Sequence, residues 1–239
     1  MSASDDRTRG VPLAGALAGV AIASYMGPGL AGALPGLRAP LGIEDHTAGG
    51  EGFALTFDDG PHPQGTPAVL EILAAAAVRA TFFLVGEQVQ RNPALAREIL
   101  AAGHGIGLHC HRHRNLLWLT PWQVRDDLAR ALAWIEDSTG ESPTLYRPPY
   151  GVPNAAALWI ASRRGWRTLL WSHWGRDWER RASAESITRR VTKDVGEGAV
   201  LLLHDADDYS APGSWRRTAA ALPSVLGILA ARGLRATEP

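Results

Sequence analysis

The sequence predicts an α/β fold, a distorted (β/α) barrel of about seven parallel strands in a single domain. Three observations lead there. Short apolar segments rich in branched and aromatic residues alternate along the chain with longer segments whose apolar residues recur at helical spacing. About six or seven such strand–helix units can be marked out, a number that suits a barrel better than an open sheet. At 239 residues the chain can fill one sizeable core but is tight for two independent domains.

Taken in order, Phe53 to Phe57 (FALTF) reads as a short buried strand ending in an acidic Gly-Pro turn. Thr66 to Ala77 follows as a helix, and Ala80 to Gly86 (ATFFLVG) as a strand. The alternation continues with a helix over Pro93 to Ala102, a strand over His104 to Leu108, a helix over Pro121 to Thr139 and a strand over Thr144 to Tyr146. A helix over Asn154 to Arg164, a strand over Arg167 to Trp171, a helix over Ala184 to Val195, the strand Ala199 to Leu203 and a helix over Arg216 to Arg232 complete it.

The N-terminus differs in character. Residues 1–10 are polar with balanced charge, and Val11 to Leu34 is uncharged and dominated by Ala, Gly, Leu and Val. That length approaches the roughly 20 apolar residues of a bilayer span, although Pro28, Pro35 and several glycines weaken a helix. Residues 11–34 are therefore read first as a membrane anchor or uncleaved signal, then as a surface-packed helix or loop, then as a cleaved signal. A membrane-anchored or extracytoplasmic location is favoured, with a cytoplasmic one as the alternative. Residues 35–51 read as a Gly/Pro-rich linker, dividing an N-terminal segment (1–50) from the folded domain (51–239).

The 24 basic residues balance the 24 acidic ones, so no global field draws the chain to nucleic acid or an anionic surface. A neutral glycan is compatible with that balance. Cys110 is the sole cysteine, which excludes an intramolecular disulfide and leaves redox compartment unread.

In a parallel barrel the functional groups gather on the loops leaving the C-terminal ends of the strands. Asp58 and Asp59 follow the first strand; His109, His111 and His113 follow the third; Arg147 follows Tyr146; His173 and Asp177 follow Trp171; His204 and Asp205 follow Leu203. Adjacent carboxylates such as Asp58 and Asp59 point in different directions, so one can hold a metal while the other handles a proton; alone, the pair reads better as an acidic helix-capping turn. His109 and His113, four apart, can converge on one ion and, with a carboxylate, leave positions open for water and substrate. Cys110 and His111 are further possible ligands, although alternation points His111 away. The prolines of YRPPYG (146–151) stiffen the backbone around Arg147, suiting an arginine that fixes a carboxylate or a backbone N–H aimed at developing negative charge.

These residues resemble the NodB-type polysaccharide deacetylases, the family-four carbohydrate esterases. TFDDGP (56–61), HCHRH (109–113), RPPYG (147–151), the segment ending in Asp177-Trp178 and LLLHD (201–205) look like that family's five motifs in order, over roughly residues 51–236. The resemblance implies removal of N-acetyl groups from an amino-sugar polymer, and one divalent ion, zinc first with cobalt, nickel or manganese as alternatives, held by Asp59, His109 and His113. It also implies Asp58 as general base, His204 as general acid, and Arg147 positioning Asp58. Asp177 would pair with the arginine and tune the acid side; the Tyr150 backbone N–H would help hold the oxyanion; Trp178 and Leu203 would line the acyl pocket. Two departures stand out: Cys110 replaces a small hydroxyl residue, and the acidic residue usual upstream of Asp177 is replaced within WSHWGRDW (171–178). Rival readings are a hydrolase of the same fold acting on acetylated xylan, a lipid-linked amino sugar or a cyclic amide, a glycan-binding pseudo-enzyme, and a histidine-rich metal carrier.

Overall fold

A computed structural model of the chain describes residues 13–239. Eight parallel strands form one curled sheet: β1 (Ile43–Glu44), β2 (Phe53–Asp58), β3 (Thr81–Leu84), β4 (Gly105–Leu108), β5 (Leu145–Tyr146), β6 (Arg167–Leu169), β7 (His173–Trp174) and β8 (Ala199–His204). Their spatial order is β1-β6-β5-β4-β3-β2-β8-β7. The ladder thus ends at β1 and β7 instead of pairing them, and the barrel is distorted in that sense. Helices α2 (Gly65–Ala76), α3 (Gly86–Arg91), α4 (Pro93–Ala101), α5 (Pro121–Thr139), α6 (Ala155–Arg164) and α7 (Ala184–Val191) lie between the strands in sequence, and α8 (Ser214–Ala231) follows β8.

Local chemistry sets the helix ends. Thr120 and Gln123 form a reciprocal capping box at the start of α5, with Pro121 in the first turn, and Gly140 ends that helix at φ 74. Asn154 accepts from the Ala157 N–H to start α6.

The sheet separates two cores. Leu55, Phe57, Phe82, Leu201 and Leu203 pack in one cluster with residues of the covering helices, whereas Ala54, Phe83, Leu145, Leu169 and Val200 meet Trp171 in another, on the inner face. The two-residue period of a strand therefore puts Thr56 and Asp58 of β2, and Leu202 and His204 of β8, on the inner face. Gly107 makes room there, since a Cβ on it would stand 2.5 Å from the Phe83 ring.

The structure adds elements the pattern did not show. β1 lies within the expected 35–51 linker and pairs with β6, and β7 follows Trp171; two residues are too few to show a period. The six-residue α3 escaped notice for the same reason.

The N-terminal segment packs on the domain. α1 (Leu13–Met26) has 14 residues, or about 21 Å at 1.5 Å per residue against a hydrocarbon thickness of about 30 Å. Tyr25 Oη donates to the Leu119 carbonyl at 2.6 Å and accepts from Asn154 Nδ2 at 2.7 Å. Of the expected anchor, residues 11 and 12 lie outside the described residues; among the described residues no helix is long and apolar enough to cross a membrane. The surface-packed reading describes residues 13–34 better.

Candidate active site

The inner-face ends of β2, β4, β5 and β8 open into a cleft of ≈ 200 Å³ lined by Asp58, Asp59, His109, His113, Tyr150, Trp178, Leu202, His204 and Tyr209, among others. That is smaller than the roughly 300–1,000 Å³ of drug-sized ligand pockets. It has room for part of a longer ligand, not for all of one.

Three side chains converge at its base. Asp59 Oδ1 lies 3.6 Å from His109 Nε2 and 3.4 Å from His113 Nε2, and one ligand atom from each of the three residues falls within 4.8 Å of the others. Two ligands on a tetrahedral ion at about 2.0–2.1 Å would stand about 3.3 Å apart. Asp59 Oδ1 is buried with no hydrogen-bond partner, an unfavourable state that a cation would relieve. One carboxylate and two imidazoles form a donor set that suits a catalytic transition-metal site, so these residues fit the implied ion.

Both histidines are in the neutral form that a metal ligand requires. Burial, with Arg147 nearby, lowers His109 to about 3, and burial, with His109 nearby, lowers His113 to about 3, so both imidazoles are neutral. His109 Nδ1 donates to the Arg147 carbonyl at 2.8 Å, which fixes the tautomer and turns Nε2 toward Asp59. The His113 ring is held between Tyr209, stacked at 4.6 Å, and Tyr150, edge-on at 4.5 Å.

Arg147 is fully buried. Its Nη1 donates to Asp58 Oδ1 at 2.7 Å and to Thr56 Oγ1 at 2.9 Å, its Nε to the Leu169 carbonyl at 2.9 Å, and its Nη2 to the Leu170 carbonyl at 3.1 Å. Asp58 is thereby held in one rotamer. Burial nevertheless raises its pKa above the ordinary value, with Arg147 and His204 pulling the other way.

Across the cleft, His204 Nδ1 donates to Asp177 Oδ1 at 2.9 Å. Asp177 Oδ2 accepts from the His204 backbone N–H at 2.7 Å and from Thr218 Oγ1 at 2.8 Å. Burial alone would depress the imidazolium, but the Asp177 charge and hydrogen bond, with Asp59 and Asp58 behind them, hold His204 up to about 10. Its Nε2, 3.9 Å from Asp59 Oδ2, faces the cleft. A buried carboxylate held by an arginine, a candidate cation site and a protonated imidazole thus stand around one cavity.

Residues 45–169 match the family model described as polysaccharide deacetylase. The chain belongs to that family. It is 38% identical over 186 residues to a peptidoglycan-N-acetylglucosamine deacetylase of Bacillus cereus, covering 77% of this chain and 84% of that protein. It is 34% identical over 186 residues to a chitooligosaccharide deacetylase of Azorhizobium caulinodans, covering 75% of this chain and 88% of that one. The solved structure of the Bc1960 peptidoglycan N-acetylglucosamine deacetylase superposes with a TM-score of 0.76 at 30% identity, covering 82% of this chain and 89% of that chain. The chain is a hydrolase of the polysaccharide deacetylase type.

Within this deacetylase site two expectations need correction. Asp177 sits on His204 and Thr218, whereas the hydrogen bonds of the Arg147 side chain go to Asp58, Thr56 and two carbonyls. Leu203 points away from the cleft into the helix-side core, and its neighbour Leu202 lines the cavity; the strand alternation that puts His204 inward requires it. Trp178 lies in the cavity wall, edge-on to His204 at 5.4 Å, and Tyr150 lines it with its backbone at φ 60.

The alternative ligands lie elsewhere. Cys110 Sγ donates to the Arg112 carbonyl at 3.0 Å, and burial pushes the thiol well above its usual range. His111 Nδ1 faces Gly86, where a Cβ would stand 2.7 Å away. The sequence placed the segments around Trp174 (172–181) and Tyr209 (205–215) at the groove without assigning either side chain a role, and it gave Thr56 none. Thr56 was legible in principle, two residues before Asp58 on one strand face, whereas Tyr209 reaches His113 from a loop with no sequence period.

Proposed function

We propose that this chain hydrolyses N-acetyl groups from an amino-sugar polymer of the peptidoglycan or chitin kind, with one divalent cation held by Asp59, His109 and His113. The observation that carries this reading is the unpartnered, buried Asp59 Oδ1 facing two neutral imidazoles, with Asp58 and His204 on either side. Bound there, a cation, zinc first, supplies polarisation of the amide carbonyl and a lowered pKa for the attacking water, worth several kcal/mol.

The protein's own groups do the rest. Asp58 is the general base, and its raised pKa brings it closer to the value of an effective proton acceptor near neutrality. Arg147 keeps the carboxylate aimed by a 2.7 Å hydrogen bond. His204, protonated and anchored through Nδ1 to Asp177, delivers a proton from Nε2 to the departing nitrogen. Base and acid contribute on the order of 10²–10⁴-fold each. The Tyr150 backbone N–H donates to the oxyanion, a contact whose loss would cost roughly 3–4 kcal/mol. Leu202 and Trp178 enclose the acyl methyl.

A glycan-binding pseudo-enzyme is the second reading, and the side chains weigh against it. A binding module has no use for a buried base and a protonated acid facing one cleft. The domain expected over 51–239, extended by β1 at Ile43–Glu44, is read as the catalytic unit, acting outside the cytoplasm where such polymers lie. Acetate release from chitin-like and peptidoglycan-like polymers, with acetylated xylan as a third substrate and with and without chelator, tests the reading. Release from the amino-sugar polymers that chelator abolishes supports it; release from xylan alone overturns it.

A further inference from the structure

Resting on the deacetylase reading above, we propose that Trp174 and Arg176 form a binding site for the sugar next to the one being deacetylated, and that this neighbouring sugar carries a carboxylate.

Three tryptophans line the cleft beside His204, and Trp174 between the other two is the exposed one. Trp178 lies edge-on to His204 at 5.4 Å, Trp174 is 5.2 Å from Trp178, and Trp171 is 5.8 Å from Trp174. All three line the cavity, yet Trp174 is 42% exposed. The C–H faces of an equatorially substituted pyranose are apolar while its hydroxyls stay in the plane of the ring. An indole with an open surface beside a sugar-processing centre offers the matching platform.

Arg176 supplies the charge. Its guanidinium carbon is 5.6 Å from the Trp174 ring centre and its side chain is 48% exposed. The backbone there has φ 51, a conformation glycine adopts at less cost, so this arginine sits where local preference opposes a side chain. Its partner Glu179, at 2.9 Å, is shared with Arg190 at 3.0 Å. One carboxylate thus serves two guanidiniums, and Arg180 and Arg181, next in sequence, are exposed. In a chain whose total charge is balanced, residues 176–181 carry three arginines against Asp177 and Glu179. A guanidinium fork reads a carboxylate with two parallel hydrogen bonds, and a sugar lying on Trp174 brings its ring substituents within reach of that fork. A neutral glycan would use the platform and leave the arginine idle.

The test compares chitin oligosaccharides, which are neutral, with glycan strands that alternate N-acetylglucosamine and muramic acid. Steady-state kinetics and calorimetric Kd are measured on the wild type, Trp174→Ala, Trp174→Phe and Arg176→Gln. Trp174→Ala is expected to raise KM about tenfold on both glycans with kcat little changed, and Trp174→Phe to recover most of it. Arg176→Gln is expected to raise KM severalfold on the acid-bearing strand alone and to flatten its salt dependence. An unchanged KM in Trp174→Ala, or equal losses on both glycans in Arg176→Gln, overturns the proposal. A wild type that releases no acetate sinks the deacetylase reading instead, and the Kd comparison then decides the site by the same pattern.

Discussion

The Arg147 carbonyl accepts from His109 Nδ1 at 2.8 Å while the guanidinium of the same residue donates to Asp58 at 2.7 Å. One residue on the loop after β5 therefore orients both the His109 imidazole and the Asp58 carboxylate. In the proposed mechanism Arg147 is a positioning residue for both partners.

Replacing Arg147 with methionine leaves the Asp58 carboxylate buried and uncompensated. Removing one partner of a buried pair costs about 3–5 kcal/mol, so denaturant unfolding should show a loss of that order. Arg147→Lys, which can replace one donor but not the fork, should fall between.

Asp58→Asn keeps the cation site intact, because Asp59, His109 and His113 are untouched. Metal content by mass spectrometry should stay near that of the wild type while kcat falls by ~10²–10⁴-fold. His113→Ala should lose both together.

Asp177→Asn removes the charge that holds His204 protonated. The alkaline limb of the pH–rate profile should move to lower pH, since the acid form of His204 would be lost sooner. Stability follows with a defined sign. A histidine held up to about 10 when folded and near its ordinary 6.5 when unfolded stabilises the wild type fully below pH 6.5. That contribution drains away as pH rises toward 10, and thermal melts between those values should show a steeper decline for the wild type than for Asp177→Asn.

Tyr209 stacks on His113, and its hydroxyl donates to Glu87 Oε1 at 2.6 Å. Tyr209→Ala should weaken metal affinity on the order of tenfold by freeing the ring, with Tyr209→Phe close to wild type, both read by chelator competition.

Leu202 and Leu203 divide by face. Leu203→Ala should cost about 2–5 kcal/mol of stability as a core truncation without altering acyl preference. Leu202→Ala should relax the preference for acetyl over butyryl amides, read from the ratio of kcat/KM values.

Much of this was legible beforehand. FALTF and AVLLL are buried strands because every position carries an apolar or small side chain, and β2 and β8 form where those segments stand. The polar residues after the strands fell on one rim because parallel strands share an orientation. What escaped depends on contacts across long separations. No spacing connects Tyr209 to His113, and the partner of Asp177 is decided by how the loop after β7 folds over β8. Leu203 was misplaced by motif likeness although the alternation from Asp58-paired His204 already turned it outward.

Titration of the metal-stripped protein with zinc, following bound metal and acetate release from an N-acetylglucosamine oligomer together, tests the central claim most directly. Binding should saturate at about one equivalent, activity should rise in step with occupancy, and Asp59→Asn should show neither. Full activity in the stripped protein, or one tightly bound equivalent in Asp59→Asn, would contradict it.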